Sequence, residues 1–153
     1  MMKKFLLLIL IIPLLSFGQV AVEYDKLTMK NDKYFYENEL FTGLTHGYLD
    51  EEELHFEVFL KEGIYHGSSK YYLKNGQLFM VGFYKEGKYH GYGMTFYKNG
   101  HIKSEGNANN GKRDGVFKLY DKLGQLSKIQ VYKNDNLISE KCFNEAEIEI
   151  SCE

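Results

Sequence analysis

The sequence predicts an all-β protein, built from repeated antiparallel β-hairpins that form an elongated, twisted open sheet. Glycine recurs every 24 residues, at Gly43, Gly67, Gly91 and Gly115. Short apolar and aromatic runs flank Asn-Gly turn sequences, which are typical of hairpins. The single proline, Pro13, lies near the amino terminus. The rest of the chain can therefore pair all of its strands, with glycine and asparagine making the turns.

Four positions of the 24-residue unit recur, counted from the first glycine of each copy. Five residues on is an aromatic residue: Tyr48, Tyr72, Phe96 or Tyr120. Nine residues on is a turn glycine in three copies: Gly76, Gly100 and Gly124. Eleven residues on is an aliphatic residue: Leu54, Leu78, Ile102 or Leu126. Twenty residues on are Gly63, Gly87, Gly111 and Asp135. A repeat of this length indicates units that bury their faces only against neighbouring copies.

The turn length sets the register of each hairpin, because a slip of one residue moves every side chain to the opposite face. A two-residue type I′ turn would require positive φ at Leu123, which is sterically costly. A three-residue loop with only the glycine left-handed fits all copies. The predicted opposite pairs are Tyr72 with Leu78, Phe96 with Ile102, and Tyr120 with Leu126.

Strict alternation along the second strand extends this prediction to the rest of each copy. In the first copy Leu54, Phe56, Val58 and Leu60 point to one face, with His55 and Glu57 on the other. In the fourth copy the alternation puts Ile129 and Val131 on the wet side. Either a bulge shifts that strand, or the sheet buries part of both faces.

Residues 1–18 are predicted to be a secretory signal peptide. Lys3 and Lys4 precede the uncharged apolar run 5–15, and Ser16-Phe17-Gly18 places small residues before a cut ahead of Gln19. The apolar run is too short for a membrane-spanning helix. We therefore expect an exported protein, periplasmic or extracellular.

Residues 19–153 fit a single β-repeat domain. It divides into a degenerate opening copy (19–42), four repeats (43–66, 67–90, 91–114 and 115–138) and a C-terminal cap (139–153). The whole chain has 19 basic and 21 acidic side chains, a net charge of −2, which becomes −4 once Lys3 and Lys4 are removed. This charge argues against nucleic-acid binding and gives no reason for strong membrane binding.

The two cysteines, Cys142 and Cys152, favour a disulfide in an exported chain. The bond would fasten the last strand of the sheet, whose open edge otherwise invites aggregation. A redox or metal pair is the alternative, but no histidine lies nearby in the sequence.

The sequence offers no catalytic, cofactor or metal site. His66 and His90 share a position in the repeat, but equivalent residues of successive hairpins lie about 10 Å apart, too far for two imidazoles to share one zinc ion. The aromatic and imidazole side chains at the repeat corners are instead candidates for contact with a partner: Tyr65, His66, Tyr89 and His90.

The segments Tyr71–Gly76 and Phe83–Gly91 resemble the MORN-variant repeat, and the chain is similar over about residues 33–138 to exported proteins of the YwqK-type antitoxin-like family. The resemblance implies an elongated sheet of successive hairpins used for binding or scaffolding. It supplies no catalytic residues.

The leading functional hypothesis is a non-enzymatic exported binding or scaffold module that contacts a protein partner. The first alternative is an immunity or antitoxin-like inhibitor of a partner toxin. The second is a carbohydrate-active hydrolase, suggested only by the many aromatic and acidic residues. The sequence does not set the oligomeric state.

Overall fold

The computed structural model describes residues 21–49 and 54–152. The predicted signal peptide and the acidic run at 50–53 lie outside these residues. The described chain forms one long open sheet and one small sheet, which together contain 15 strands. The predicted all-β fold of antiparallel hairpins in a long open sheet is confirmed.

The strands form three groups along the chain: those before the first full repeat, those of the repeats, and the last strand. Those before the first full repeat are β1 (Ala21–Glu23), β2 (Thr28–Lys30), β3 (Lys33–Tyr36) and β4 (Glu39–Leu40). The repeats contain β5 (Gly43–Leu49), β6 (Leu54–Lys61), β7 (Ile64–Tyr72), β8 (Leu78–Lys85), β9 (Lys88–Tyr89), β10 (Gly91–Phe96), β11 (Ile102–Asn109), β12 (Lys112–Tyr120), β13 (Leu126–Lys133) and β14 (Asn136–Phe143). The last strand is β15 (Glu149–Ile150), and a single 3-10 turn occupies Tyr24–Lys26.

The strands of the long sheet lie almost in chain order. Its order is β1-β5-β6-β7-β8-β10-β11-β12-β13-β14-β15, with β9 paired to β8. Every pairing is antiparallel except that of β1 with β5. Strands β2, β3 and β4 form the separate small sheet. Such an order follows from a repeat in which each hairpin pairs with the next.

The predicted hairpin register is confirmed in three copies. Tyr72 lies opposite Leu78, and the equivalent pairs Phe96–Ile102 and Tyr120–Leu126 recur. In the first of these hairpins the N–H of residue 73 donates to the carbonyl of residue 77 (2.8 Å), which leaves a three-residue loop. Only the glycine of each loop has positive φ, 82° at Gly76, 89° at Gly100 and 87° at Gly124.

Strict alternation after these pairs is wrong, because a β-bulge follows each of them. The register shifts between Tyr71 and Tyr72, and the same shift recurs one and two repeats later. Met80 therefore lies opposite Tyr71 and on the other face from Leu78. The first copy has no such shift, and Leu54, Phe56, Val58 and Leu60 are all buried on one face as predicted.

The bulges also resolve the fourth copy. Ser127 is the extra residue there, so Ile129 and Val131 share a face with Leu126 and not with Lys128. A consequence is that aromatic residues occupy both faces of the sheet. We call the face that carries Phe56, Tyr71, Tyr84, Phe117 and Tyr132 the tyrosine face. The opposite one, which carries Glu57, Lys70, Tyr72, Glu105, Lys118 and Tyr120, is the Glu–Lys face.

The two-residue turns between β6 and β7, β8 and β9, β11 and β12, and β13 and β14 have positive φ at both residues, and we call them the type I′ turns. Successive repeats are joined by one recurring backbone hydrogen bond at these turns. The N–H of Gly63 donates to the carbonyl of Phe41, at 2.8 Å. The same bond recurs at 24-residue intervals, from Gly87 to Tyr65, from Gly111 to Tyr89 and from Asp135 to Arg113. Each turn is thus hydrogen-bonded to the copy before it, as expected of units that stabilise one another in series.

The small sheet covers the tyrosine face at the first repeat. Val22, Phe41 and Leu60 form the buried core there, with Tyr34 and Tyr65 packed against it. The 3-10 turn also lies on this face, where the Tyr24 ring contacts Phe56 edge-on at 5.2 Å.

The predicted disulfide is confirmed between Cys142 and Cys152, whose Cα atoms lie 5.3 Å apart. It fastens the segment after β15, a strand that pairs with β14 at Cys142 and Phe143. Within residues 21–49 and 54–152, no helix is long and apolar enough to cross a membrane.

Candidate functional site

A groove of about 250 Å³ lies on the tyrosine face between β8 and β12. Its floor is made of small residues: Gly82, Gly91, Gly93, Thr95, Ser104, Gly106 and Ala108. Met80, Tyr89, His90, Arg113 and Phe117 are among the larger side chains of its lining. The groove follows from the sequence of the middle repeats, whose residues at these positions have little or no side chain.

Three glycines of the floor, Gly82, Gly93 and Gly106, occupy one row across the sheet. Ser69 lies opposite Gly82, Gly93 opposite Gly106, and Gly106 opposite Phe117. A β-carbon on Gly93 would lie 3.7 Å from Gly82 Cα, which places these two glycines side by side on adjacent strands. Tyr89 packs beside Gly82 and Phe117 lies over Gly106, so the backbone around Gly93 forms the open centre of a channel between two aromatic walls.

Tyr89 forms the first wall. Its ring stacks on Tyr84, with centroids 4.2 Å apart and planes at 29°. A β-carbon on Gly82 would lie 3.7 Å from Tyr89 Cε1, so the ring covers that edge of the floor. Tyr89 keeps 37% of its surface exposed and faces the open groove.

Phe117 forms the second wall and packs edge-on against Tyr132, with centroids 5.5 Å apart. The guanidinium of Arg113 lies 3.9 Å from the centre of the Tyr132 ring. Its Nε is also 3.2 Å from Asp135 Oδ1. The wall therefore ends in a cation that is held by stacking and by one carboxylate.

Behind the first wall, four tyrosine rings form a continuous chain, namely Tyr24, Tyr34, Tyr65 and Tyr84, with neighbouring centroids 5.3–5.5 Å apart. The Tyr24 and Tyr34 hydroxyls are 2.6 Å apart, and the Tyr65 hydroxyl donates to that of Tyr34 at 3.3 Å. Burial, helped by these hydrogen bonds, raises the pKa of Tyr65 well above its usual value. Through Tyr84, on which the Tyr89 ring stacks, the cluster supports Tyr89 from behind.

Two polar groups on this face are buried without a hydrogen bond in the described part of the chain: Nδ1 of His90 and Oγ of Ser69. His90 lines the groove, whereas Ser69 lies one strand beyond it. An unpaired buried polar atom is costly, and both of these atoms are covered by the surrounding protein.

The structure separates the four contact residues expected from the sequence. Tyr89 and His90 line the groove. Tyr65 lies inside the tyrosine cluster, between Tyr34 and Tyr84. His66 is half-buried on β7 and is not part of the groove lining.

Sequence reasoning missed the floor and the second wall. Gly82 and Gly106 share one position of the repeat, which carries Val58 in the first copy and Gln130 in the last. The replacement of a side chain by glycine at this position in the two middle copies could have indicated the groove from the sequence. The residues lining the groove support non-covalent binding, through aromatic contact, one imidazole and one cation.

No family model matches the chain, and no curated protein sequence matches it. Among residues 21–49 and 54–152, no group of three or more histidine, cysteine, aspartate or glutamate side chains is arranged to hold a metal ion.

Proposed function

We propose that the chain is a non-enzymatic, exported binding module built of MORN-like repeats, and that its groove holds an apolar segment of a protein partner. The observation that carries the proposal is the glycine floor between the Tyr89 and Phe117 walls. Exposed aromatic side chains around a concave surface are typical of the residues that dominate binding energy in protein interfaces.

The composition of the groove favours a protein segment over a small charged ligand. Met80, Tyr89 and Phe117 offer apolar contact, and Arg113 already pairs with Asp135. The groove is open along its length, so an extended or helical segment can lie in it with its side chains directed to the floor.

Two features support export. The predicted signal peptide at residues 1–18 directs the chain out of the cytosol. The Cys142–Cys152 disulfide is consistent with an oxidising compartment. A periplasmic or extracellular partner follows from this location.

The proposal is tested by filling the groove. Ala108 lies on the floor opposite Gly91, whereas the nearby Asn109 is exposed at the end of β11 and does not line the groove. The variant Ala108→Leu places a large side chain in the groove, and Asn109→Leu is the matched control. Both are expressed from the full-length gene, and each purified protein is cross-linked to an envelope extract of its own cells.

We expect wild type and Asn109→Leu to capture the same partner, and Ala108→Leu to capture it about tenfold less well. Urea unfolding of both variants separates binding from folding. Equal capture by Ala108→Leu, at unchanged stability, would reject the groove as the binding site.

A further inference from the structure

A row of charged and apolar side chains crosses the Glu–Lys face, one residue per strand. Each member lies directly opposite the next: His46, Glu57, Lys70, Val81, Met94, Glu105, Lys118, Ile129 and Lys141. The row spans the face from β5 to β14. It lies on the other side of the sheet from the groove.

Within this row one charged unit occurs twice, 48 residues apart. Glu57 accepts a hydrogen bond from the Tyr72 hydroxyl at 3.3 Å, and Lys70 lies opposite it. The second unit has Glu105 and Tyr120, 2.8 Å apart, in the same positions. Lys118 occupies the position of Lys70.

The Glu105 carboxyl of the second unit is held in its charged form. Lys118 Nζ is 3.6 Å from Glu105 Oε1, and the Tyr92 hydroxyl also donates to the Glu105 carboxylate. These donors, Tyr92 first, hold the pKa of Glu105 below its usual value. Lys118 keeps 47% of its side chain exposed, so its ammonium group can reach outward to a second carboxylate.

The six residues of the row from Glu57 to Lys118 have an order of charge that, when reversed, places the opposite charge at each charged position. From Glu57 to Lys118 the order is negative, positive, apolar, apolar, negative, positive. Reversed, it becomes positive, negative, apolar, apolar, positive, negative. Two copies of this face, related by a two-fold axis parallel to the strands, would place unlike charges opposite one another at every charged position.

We propose that a second copy of this chain pairs with the Glu–Lys face, so that two sheets pack face to face with the grooves outward. Glu57 of one copy then lies opposite Lys118 of the other, and Lys70 lies opposite Glu105. Val81 lies opposite Met94 at the centre. In a two-fold dimer both copies use the same surface, so one interface buries this face of both copies.

The flanking side chains fit the same axis. Phe83 lies in the strand of Val81 and Tyr92 in the strand of Met94, so these two rings oppose each other across the interface. They are 47% and 42% exposed. Ser68 and Asn107 are paired with Phe83 and Tyr92 in the next strands outward, and the axis brings these two polar side chains together. Apolar groups therefore meet apolar groups, and polar meet polar.

The available area is sufficient for a specific dimer. Six neighbouring strands at about 4.8 Å spacing, each about eight residues long at 3.3 Å per residue, offer roughly 700 Å² per copy. Stable interfaces bury about 600–1,000 Å² per partner. Aligned sheet packing at about 10 Å accommodates the side chains of both faces.

The test uses charge reversal and complementation. Lys118→Glu sets like charges opposite Glu57 in both contacts of a dimer, and Glu57→Lys does the same opposite Lys118. A one-to-one mixture of the two variants restores unlike charges at both contacts. The control is Lys128→Glu, which breaks a comparable cross-strand ion pair, that with Glu140 at 3.2 Å, on the tyrosine face.

Sedimentation equilibrium of the mature protein measures the outcome. We expect wild type and Lys128→Glu to dimerise, each reversal variant to dimerise at least about tenfold more weakly, and the mixture to recover wild-type affinity. A monomeric wild type, or a mixture that stays as weak as its components, would overturn the proposal. Dimers that persist in both single variants would place the contact elsewhere, for example at the open edge of β14, and would overturn it as well.

Discussion

The ring of Phe117 lies directly over Gly106. A β-carbon added at Gly106 would sit 2.4 Å from Phe117 Cδ1, closer than any real contact allows. At Gly82, the same position one repeat earlier, the nearest atoms to such a carbon are 3.7 Å away. The two glycines therefore have different roles. Gly106 is needed for the Phe117 ring to pack over the backbone, whereas at Gly82 there is space for a β-carbon.

We expect Gly106→Ala to destabilise the protein by about 1–3 kcal/mol, because Phe117 must leave its position against Tyr132. Gly82→Ala is the control, and its cost should be below about 1 kcal/mol, since ordinary contact distances accept the methyl group. Urea unfolding followed by circular dichroism measures both. Equal losses in the two variants would mean that Phe117 does not depend on Gly106.

The repeat itself was predictable because its turns have strict stereochemical demands. The backbone at positions 76, 100 and 124 is left-handed, a conformation that favours glycine, and the recurring glycines are visible in the sequence. Once the loop length was fixed by Leu123, the opposite pairs such as Tyr72 and Leu78 followed.

The bulges were not predictable by the same reasoning. The extra residues are Phe79, Lys103 and Ser127, which share no size, charge or backbone preference. A bulge at such a position changes the face of every later residue, so the groove and the Glu–Lys row could not be derived from alternation. The small sheet was likewise hidden, because its left-handed turns use Asn31-Asp32 and Glu37-Asn38 in place of glycine.

Tyr65 and Tyr89 should respond differently to truncation. Tyr65→Ala removes a hydrogen bond to Tyr34 and two ring contacts inside the cluster, and we expect a loss of about 3 kcal/mol in the free energy of unfolding. Tyr89 is partly exposed, so Tyr89→Ala should cost about 1 kcal/mol. Its effect should instead be on partner capture, with about tenfold loss. Thermal unfolding and capture, measured on both variants, separate the two roles, and a Tyr89 variant that unfolds as readily as the Tyr65 variant would contradict them.

The protein should lose stability in alkali through its tyrosine cluster. Burial raises the pKa of Tyr71 to about 12 and raises those of Tyr65 and Tyr84 further. The unfolded chain releases these protons near pH 10, before the folded chain does, so the stabilisation is complete below pH 10 and is lost as the pH rises above it. Tyrosinate absorbance and unfolding free energy, measured together against pH, test this.

Tyr71→Phe should make the alkaline loss of stability shallower, because one raised pKa is removed. Tyr48→Phe is the control, since the Tyr48 side chain is 70% exposed. An unchanged alkaline slope in Tyr71→Phe would show that this hydroxyl does not contribute.

Removal of the disulfide should loosen only the last part of the sheet. In the chain-entropy model a loop of this size contributes roughly 3 kcal/mol. The variant Cys142→Ser with Cys152→Ser should lose hydrogen-exchange protection where β15 pairs with Cys142 and Phe143, and retain it between β10 and β11. Uniform loss of protection through all repeats would show that the bond stabilises the sheet as a whole.

The type I′ turns offer a stabilising change. Glu86 has φ of 51°, a left-handed conformation that costs an ordinary side chain about 1–2 kcal/mol, whereas the equivalent turn one repeat later has Asn110 at the same angle. Asparagine accepts this backbone readily, so Glu86→Asn should raise the free energy of unfolding by about 0.5–1 kcal/mol. Glu86→Gln removes the same charge without relieving the backbone and should leave stability unchanged. Urea unfolding of the pair decides between the two causes, because an equal gain in both variants would assign the effect to charge and not to the turn.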